Sequence, residues 1–495
     1  MPRIAILVGS GYFGEDLLSK EPWIRHLGRD IEVYVATRID DKLLGPNSLL
    51  ESVIGQRAIS HMREMMENLR SISRTYENIY DSSFLHKRYE SHEINELQNW
   101  LGLPYKYVSS FDRRFFNRRT QKDQRDLVKL GQFLAGLTEF FRDFYERNKI
   151  TVLVTTIEDD AFSVIAYYVA RRLGIRVVGT VAGRFPVKGL MFCDDFREVL
   201  VWNSIGGDFS KVRAMYGEHA LAGKETMSKN TDYWATGSVP KRIRGILGFA
   251  KNERASRLMK KIHPNETFII EKYSAKTILK YVKGFIRMRA VRIFVDKTRF
   301  VEPYILFPLH YSEDAQITFR EPLMSQVELV RNISRALPYG YWLYVKPHPH
   351  YLGTDTSLRE LREMSRLENV RIIDPMTSPQ ILVSNAKAVV TINSTTGFEA
   401  LINGISVVTF GHDFYCRSDL CYVVRDMNDL AASIMKAIGF LEDTERERSS
   451  SMRNFVAMTF ANTIFVEGAD YGYVSFGISD SDGKRIAEAF ERIVS

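Results

Sequence analysis

A chain of 495 residues is too long for one hydrophobic core, so its length implies two domains. At 45% hydrophobic and 26% charged residues it has the make-up of an ordinary globular protein, and no apolar run approaches the ~18 residues that cross a bilayer. Three scattered cysteines (Cys193, Cys416, Cys421) exclude a disulfide framework and a cysteine-built zinc site, so a reduced, cytoplasmic setting is expected.

The chain begins with "RIAILVGSGYFGEDLL", a buried strand, a glycine turn and a helix start, with no signal-peptide pattern. Gly9, Gly11 and Gly14 spell the G-x-G-x-x-G of dinucleotide sites, which require an acid at the end of the second strand. That strand, "IEVYVATR", ends instead in Arg38, and Pro22 limits the helix between. A glycine turn opening a cleft is the better expectation. Residues 48–146 read as mostly helical and heavily charged. Within them "DRRFFNRRTQK" (112–122) suits a surface helix or a contact to a charged acceptor.

A strand–helix–strand unit follows in "ITVLVTTIEDD", "AFSVIAYYVARRLG" and "IRVVGTVAG". Alternating apolar strands and helices point to a parallel sheet. Glu158, Asp159 and Asp160 stand between strand and helix. One of them is expected to cap the helix, and a cleft-facing carboxylate there can serve as general base or as nucleophile on a sugar. Arg184 and Lys188, at the next strand end, suit an anionic acceptor group.

The net charge of +8 is concentrated in one place. Positions 241–300 hold seventeen Lys/Arg against four acids (Glu253, Glu266, Glu271, Asp296), a local +13, which leaves the remainder slightly acidic. Such a run is either a solvated helical face or a contact for an anionic partner. Its "ILKYVKGFIRMRAVRIFV" interleaves basic and bulky apolar residues as an interfacial helix does, so peripheral membrane contact is kept as an expectation.

The strand–helix alternation restarts with "PYILFPL", "YWLYVKP", "NVRIID", "KAVVTIN" and "ISVVTFG". The expected division is an N-terminal αβ domain over 1–240, a basic helical connector over 241–300, a second αβ domain over 301–475 and a terminal helix over 476–495. In the second domain a strand ends at Asn393, and Ser394, Thr395, Thr396 and Gly397 open a helix. Hydroxyls, N–H groups and the positive helix end together form a phosphate site, whereas capping alone needs one such residue. Glu399, in the first turn, is placed either to bond ribose hydroxyls or to compensate the dipole. In "YVKPHPH", Lys346, His348 and His350 share one face of an extended segment stiffened by Pro347 and Pro349. Both motifs lie at strand carboxyl ends, where open αβ sheets bind ligands. His348 is read as a phosphate contact; a metal held by His348, His350 and His310 is the weaker alternative. "FPLHYSEDAQIT" brings His310 and Glu313 to another strand end, near a reacting centre or in a helix cap.

In the segments "FPLHYSEDAQIT", "VKPHPH" and "NSTTGFEALINGISVVTFGHDFY", in this order, the sequence resembles the capsule polysaccharide biosynthesis protein family, which includes Kdo transferases of capsule assembly. The resemblance spans residues 301 to 415. It implies a GT-B-like α/β fold, two Rossmann-like domains facing a cleft, with a C-terminal helix. It further implies that His348 and Pro349 are the His-Pro pair contacting the phosphate of a cytidine-nucleotide donor, and that Ser394, Thr395 and Thr396 form the phosphate loop. The expected activity is glycosyl transfer from a nucleotide-activated sugar, CMP-linked by the His-Pro resemblance, to a glycan or lipid-linked acceptor. No cofactor, no metal and no nucleic-acid partner are expected. A CDP-polyol phosphotransferase, a sugar-nucleotide epimerase and a non-catalytic binding partner in an assembly complex are the alternatives.

Overall fold

The computed structural model describes residues 1–8, 15–39, 56–111, 124–156, 160–183, 189–203, 208–215, 290, 293–296, 301–310, 325–348, 356–375, 377–439, 445–466 and 478–495. They form two compact units. The described residues of the first are those up to 203 and Asn462–Ser495, and those of the second run from 208 to Ala461.

The first unit is built on strands β1 (Arg3–Val8), β2 (Glu32–Thr37), β3 (Thr75–Asn78), β4 (Val152–Thr155), β5 (Arg176–Gly183), β6 (Gly189–Asp194) and β7 (Glu198–Val199), in the order β6-β5-β4-β1-β2-β3 with β7 beside β6. Strands β1 to β5 pair in parallel and β6 antiparallel to β5. Helices cover both faces, which is why the strands read as unbroken apolar runs. Ile4, Ile6 and Val8 join the cluster around Trp23, and the alternate Ala5 and Leu7 are equally buried. Edge strand β3, "TYEN", is half-buried throughout and lies in a stretch whose pattern reads as mostly helical.

The chain returns to this unit at its end. β15 (Ile464–Phe465) pairs antiparallel with β6, and the helix Asp480–Val494 packs on the helix Glu15–Ile24. The sequence pattern, which keeps residues up to 475 with the second domain, does not give this return. A buried side chain anchors it. Asn462 Oδ1 accepts the backbone N–H groups of Trp202 and Asn203, both at 2.8 Å, and its carbonyl accepts the Trp202 indole N–H at 3.0 Å. Phe490 then completes an aromatic cluster, 5.2 Å from Trp23 and 5.4 Å from Phe192 between ring centroids.

The second unit is one parallel sheet of β8 (Val295–Asp296), β9 (Tyr304–Pro308), β10 (Trp342–Lys346), β11 (Val370–Ile373), β12 (Ala388–Thr391), β13 (Val407–Thr409) and β14 (Tyr422–Val423), ordered β14-β13-β12-β9-β10-β11-β8. Ile305 and Phe307 of β9 pack with Leu329, Val330 and Ile333 of the helix Gln326–Ala336. Tyr304 faces the other way: it stacks on Tyr344 at 4.0 Å and donates its hydroxyl to the Leu382 carbonyl of the helix Pro379–Asn385. The α/β class and the pair of Rossmann-like parallel sheets are those expected. Among the described residues no helix is long and apolar enough to cross a membrane. All but a few of positions 241–300 lie outside the described residues, as do Gly9, Gly11 and Gly14.

Phe490→Ala is expected to destabilise the first unit by about 3–5 kcal/mol, the range for truncating a fully buried aromatic. Hydrogen–deuterium exchange should show β1 and β6 losing protection while β9 to β12 keep theirs. Equal loss in both sheets would contradict the assignment of the C-terminal helix to the first.

Candidate functional site

The second sheet reverses its strand order between β9 and β12. The chain lays down β9, β10 and β11 in one direction, then crosses back to place β12, β13 and β14 on the other side. Ligands of open parallel sheets sit outside the carboxyl ends at such a switch point. His310 follows β9, Lys346 ends β10 with His348 two residues on, and Asn393 and Ser394 follow β12. The described members of these motifs therefore lie on three consecutive strand ends of the sheet, β10, β9 and β12.

His310 joins the two sides of the switch point. Its Nε2 accepts the Asn393 backbone N–H at 3.3 Å, and the Gln326 side chain holds the His310 backbone through its N–H (2.7 Å) and its carbonyl (3.0 Å). The imidazole is only 7% exposed. Through Nε2, His310, one of the expected catalytic residues, makes a positioning contact to the turn after β12.

The turn after β12 is braced from below. Asn393 is buried, and its Oδ1 accepts the Asp413 N–H at 3.3 Å. A Cβ at Gly411 would lie 1.7 Å from that same oxygen, so the loop after β13 can approach only as glycine. Tyr415 donates its hydroxyl to the Ser394 carbonyl, and a Cβ at Gly397 would lie 2.6 Å from the tyrosine oxygen. In the helix Thr395–Ile402, Ser394 is the N-cap, its Oγ accepting the Thr396 N–H at 3.2 Å. Ser394 thus performs the capping and Thr396 is buried, while Thr395 is exposed at the positive end of the helix. Glu399 is half-buried in the same helix, and His348 is half-buried beyond β10.

Lys346 differs from its expected role. It is 5% exposed, and Nζ donates to the Pro375 carbonyl at 2.9 Å. Burial pushes its pKa down to about 8, opposed by the negative charges of Asp374 and Glu399. Its ammonium is directed into the protein, so direct neutralisation of a ligand phosphate is corrected to a buried structural contact.

In the first unit Asp160 caps the helix Ala161–Arg172. Oδ1 accepts the backbone N–H and the hydroxyl of Ser163, both at 2.8 Å. Oδ2 accepts from Arg38 at 3.1 Å, with side-chain exposures of 6% for Arg38 and 14% for Asp160. Arg38 follows β2 and Asp160 follows β4, so the pair spans the switch point of that sheet across the end of β1. With both oxygens engaged, Asp160 is the expected cap and not a catalytic base. Glu158, Asp159, Arg184, Lys188, Glu313, Pro349 and His350 lie outside the described residues. Among the described residues no group of three His, Cys, Asp or Glu is arranged to hold a metal.

The motifs do not disclose Gln326, Asn393, Tyr415 and Gly411. Gln326, Asn393 and Tyr415 act by bonding backbone, and Gly411 by leaving space for the Asn393 side chain.

Residues 266–422 match the family described as capsule polysaccharide biosynthesis protein. Over 149 residues, 29% of this chain and 35% of the relative, the chain is 30% identical to Protein FixF of Sinorhizobium fredii. Over 99 residues, 19% of this chain and 25% of the relative, it is 33% identical to the capsule polysaccharide export protein KpsS of Escherichia coli. The chain thus spans about a third of the first relative and a quarter of the second. Among solved structures it is similar to Thermosulfurimonas dismutans KpsC, beta Kdo 2,7 transferase, at a TM-score of 0.31 and 14% identity, over 72% of this chain and 90% of that one. It is similar to the S. aureus MnaA–UDP co-structure at a TM-score of 0.28 and 10% identity, over 93% and 94%. The matched stretch, residues 266–422, is the one that carries His310, Lys346, His348 and the turn from Asn393 to Glu399, and over it the chain is similar to the capsule polysaccharide biosynthesis protein family.

Proposed function

We propose that this chain is a GT-B-type glycosyltransferase of surface or capsular polysaccharide biosynthesis. Its donor is a nucleotide-activated sugar, CMP-linked by the His-Pro resemblance, and its acceptor a glycan or lipid-linked glycan. The observation that supports the reading is the placement of His348, after β10, and of the Ser394–Gly397 turn, after β12, at strand ends on either side of β9 at the switch point of the second sheet. His348 and the exposed Thr395 at the positive helix end donate hydrogen bonds to the donor phosphate, and Glu399 takes the ribose hydroxyls. Fixed donors of this kind stabilise a phosphate leaving group without reorganising during the reaction. Since Asp160 is a cap, the carboxylate that activates the acceptor hydroxyl or attacks the sugar is Glu158 or Asp159, with Arg184 and Lys188 holding an anionic acceptor. The basic segment from 241 to 300 keeps the enzyme at the membrane face or on the glycan itself.

A second reading is favoured by the similarity to KpsS, a capsule polysaccharide export protein. The chain would then bind nucleotide or glycan within an assembly complex without turnover. Product analysis by mass spectrometry, with a sugar-nucleotide panel and a lipid-linked acceptor, separates the two.

His348→Ala should weaken CMP binding by roughly 10–100-fold in isothermal titration, the value of a hydrogen bond to a charged group; unchanged affinity would sink the phosphate assignment. Of Glu158→Gln and Asp159→Asn, one should lower turnover by at least about 100-fold at unaltered melting temperature. Asp160→Ala should instead destabilise by about 2–4 kcal/mol through the lost cap and the stranded Arg38, with activity following the folded fraction.

A further inference from the structure

We propose that His412 is a second imidazole at the phosphate end of the site, standing across the Ser394–Gly397 turn from His348 and donating to the same phosphate. The inference rests on the reading of that turn as the phosphate contact. Its starting point is the register of β12 and β13, which pair in parallel with Thr391 opposite Thr409 and so end level with one another. The register continues past both strands. Phe410 donates its backbone N–H to the Thr391 carbonyl at 3.1 Å, and a Cβ at Gly411 would lie 1.7 Å from Asn393 Oδ1. By the same count His412 falls opposite Ser394, the N-cap of the helix Thr395–Ile402.

The loop that carries His412 is fixed on both sides. The Thr409 hydroxyl accepts the Gly411 N–H at 3.1 Å, and Arg425 donates to the carbonyls of Phe410 (3.1 Å) and Gly411 (3.3 Å). Beyond the histidine, Asp413 gives its N–H to Asn393 Oδ1 at 3.3 Å and takes the Phe414 N–H on its own Oδ1 at 3.0 Å. Tyr415 then reaches the Ser394 carbonyl. From Val407 to Cys416 every residue is buried except His412, which is exposed. An exposed histidine is ordinarily no more than a solvated side chain. What sets this one apart is its backbone, held on either side by contacts to the residue that precedes the turn. A side chain on so fixed a loop has little ordering left to lose when a ligand binds. The sheet order β13-β12-β9-β10 puts His412 and His348 on opposite sides of the turn. A phosphate has three acceptor oxygens, so it can take one donor from each side while the helix end holds the third.

Isothermal titration with CMP and cytidine separates phosphate contacts from nucleoside contacts. His412→Ala should weaken CMP binding by roughly tenfold, the value of a hydrogen bond to a charged group, and leave cytidine binding and the melting temperature unaltered. If CMP binding is unaltered, or if CMP and cytidine weaken by the same factor, the imidazole does not meet phosphate and the inference is overturned. Should the variant fail to fold, the wild type supplies a second test. Diethyl pyrocarbonate should carbethoxylate the exposed His412, read by peptide mass spectrometry, and saturating CMP should protect it where cytidine does not. Equal modification with and without CMP overturns the inference, as does a His412 that resists the reagent with no ligand present. If the wild type binds no CMP, the proposed function itself fails and this inference with it. CMP affinity lost in His348→Ala but intact in His412→Ala overturns the inference alone.

Discussion

The hydrogen bond from the Asn393 backbone N–H to His310 Nε2 holds together the two sides of the second sheet's switch point. Strands β9 and β12 are neighbours in space, but the chain reaches one from the other only by way of β10 and β11. Their sheet pairing stops at Ile305 and Leu306, short of the carboxyl ends where a ligand would sit. Beyond that point the strands would splay, and His310 spans the opening. Gln326 grips the His310 backbone at both its N–H and carbonyl, so the imidazole has little freedom to leave. The geometry of the Ser394–Gly397 turn is set by this seam from one side and by Tyr415 from the other.

The two units answer the same physical problem in related ways. A parallel sheet covered on both faces buries its strands completely, and polar chemistry is confined to the strand ends. In the first unit Arg38 extends across the end of β1 to Asp160, and Tyr80 lies at 3.3 Å from its Nε. In the second, Lys346 turns into the Pro375 carbonyl with Asp374 and Glu399 as its charges. Neither cation is placed for stability alone, since a buried ion pair rarely surpasses apolar packing of the same volume. What a buried charge provides is a defined position for the groups around it, and at a switch point those groups are the ones that would face a ligand.

The core of each sheet was legible in the sequence because β1, β4, β9, β10, β12 and β13 are uninterrupted apolar runs at the spacing of a strand–helix repeat. The short edge strands β3, β8 and β14 were not, for two to four residues carry no periodicity of their own. Nor was the return of residues 462–495 to the first unit, which depends on Asn462 meeting Trp202 260 residues earlier. For the site, positions were readable and duties only in part. His310, Lys346 and Asp160 were all located correctly at strand ends, yet each fills a structural post. A sequence shows that a residue can bond to a ligand; it does not show that a buried backbone N–H or carbonyl nearby has claimed it first.

That distinction separates the residues at the second switch point into two layers. His310, Lys346, Asn393 and Thr396 are buried at 8% exposure or less, whereas His348, Ser394 and Glu399 are half-buried and Thr395 exposed. The buried layer fixes backbone and charge in advance, so little ordering entropy remains to be lost when a ligand arrives. The outer layer offers what a phosphate and a pair of hydroxyls require: an imidazole, a hydroxyl at a positive helix end, and a carboxylate. Substitutions in the two layers should therefore differ in kind. Outer-layer changes remove one contact to one part of the ligand. Buried-layer changes act through whichever outer group rests upon them, so selectivity between ligands reports on the buried layer better than affinity for any one of them.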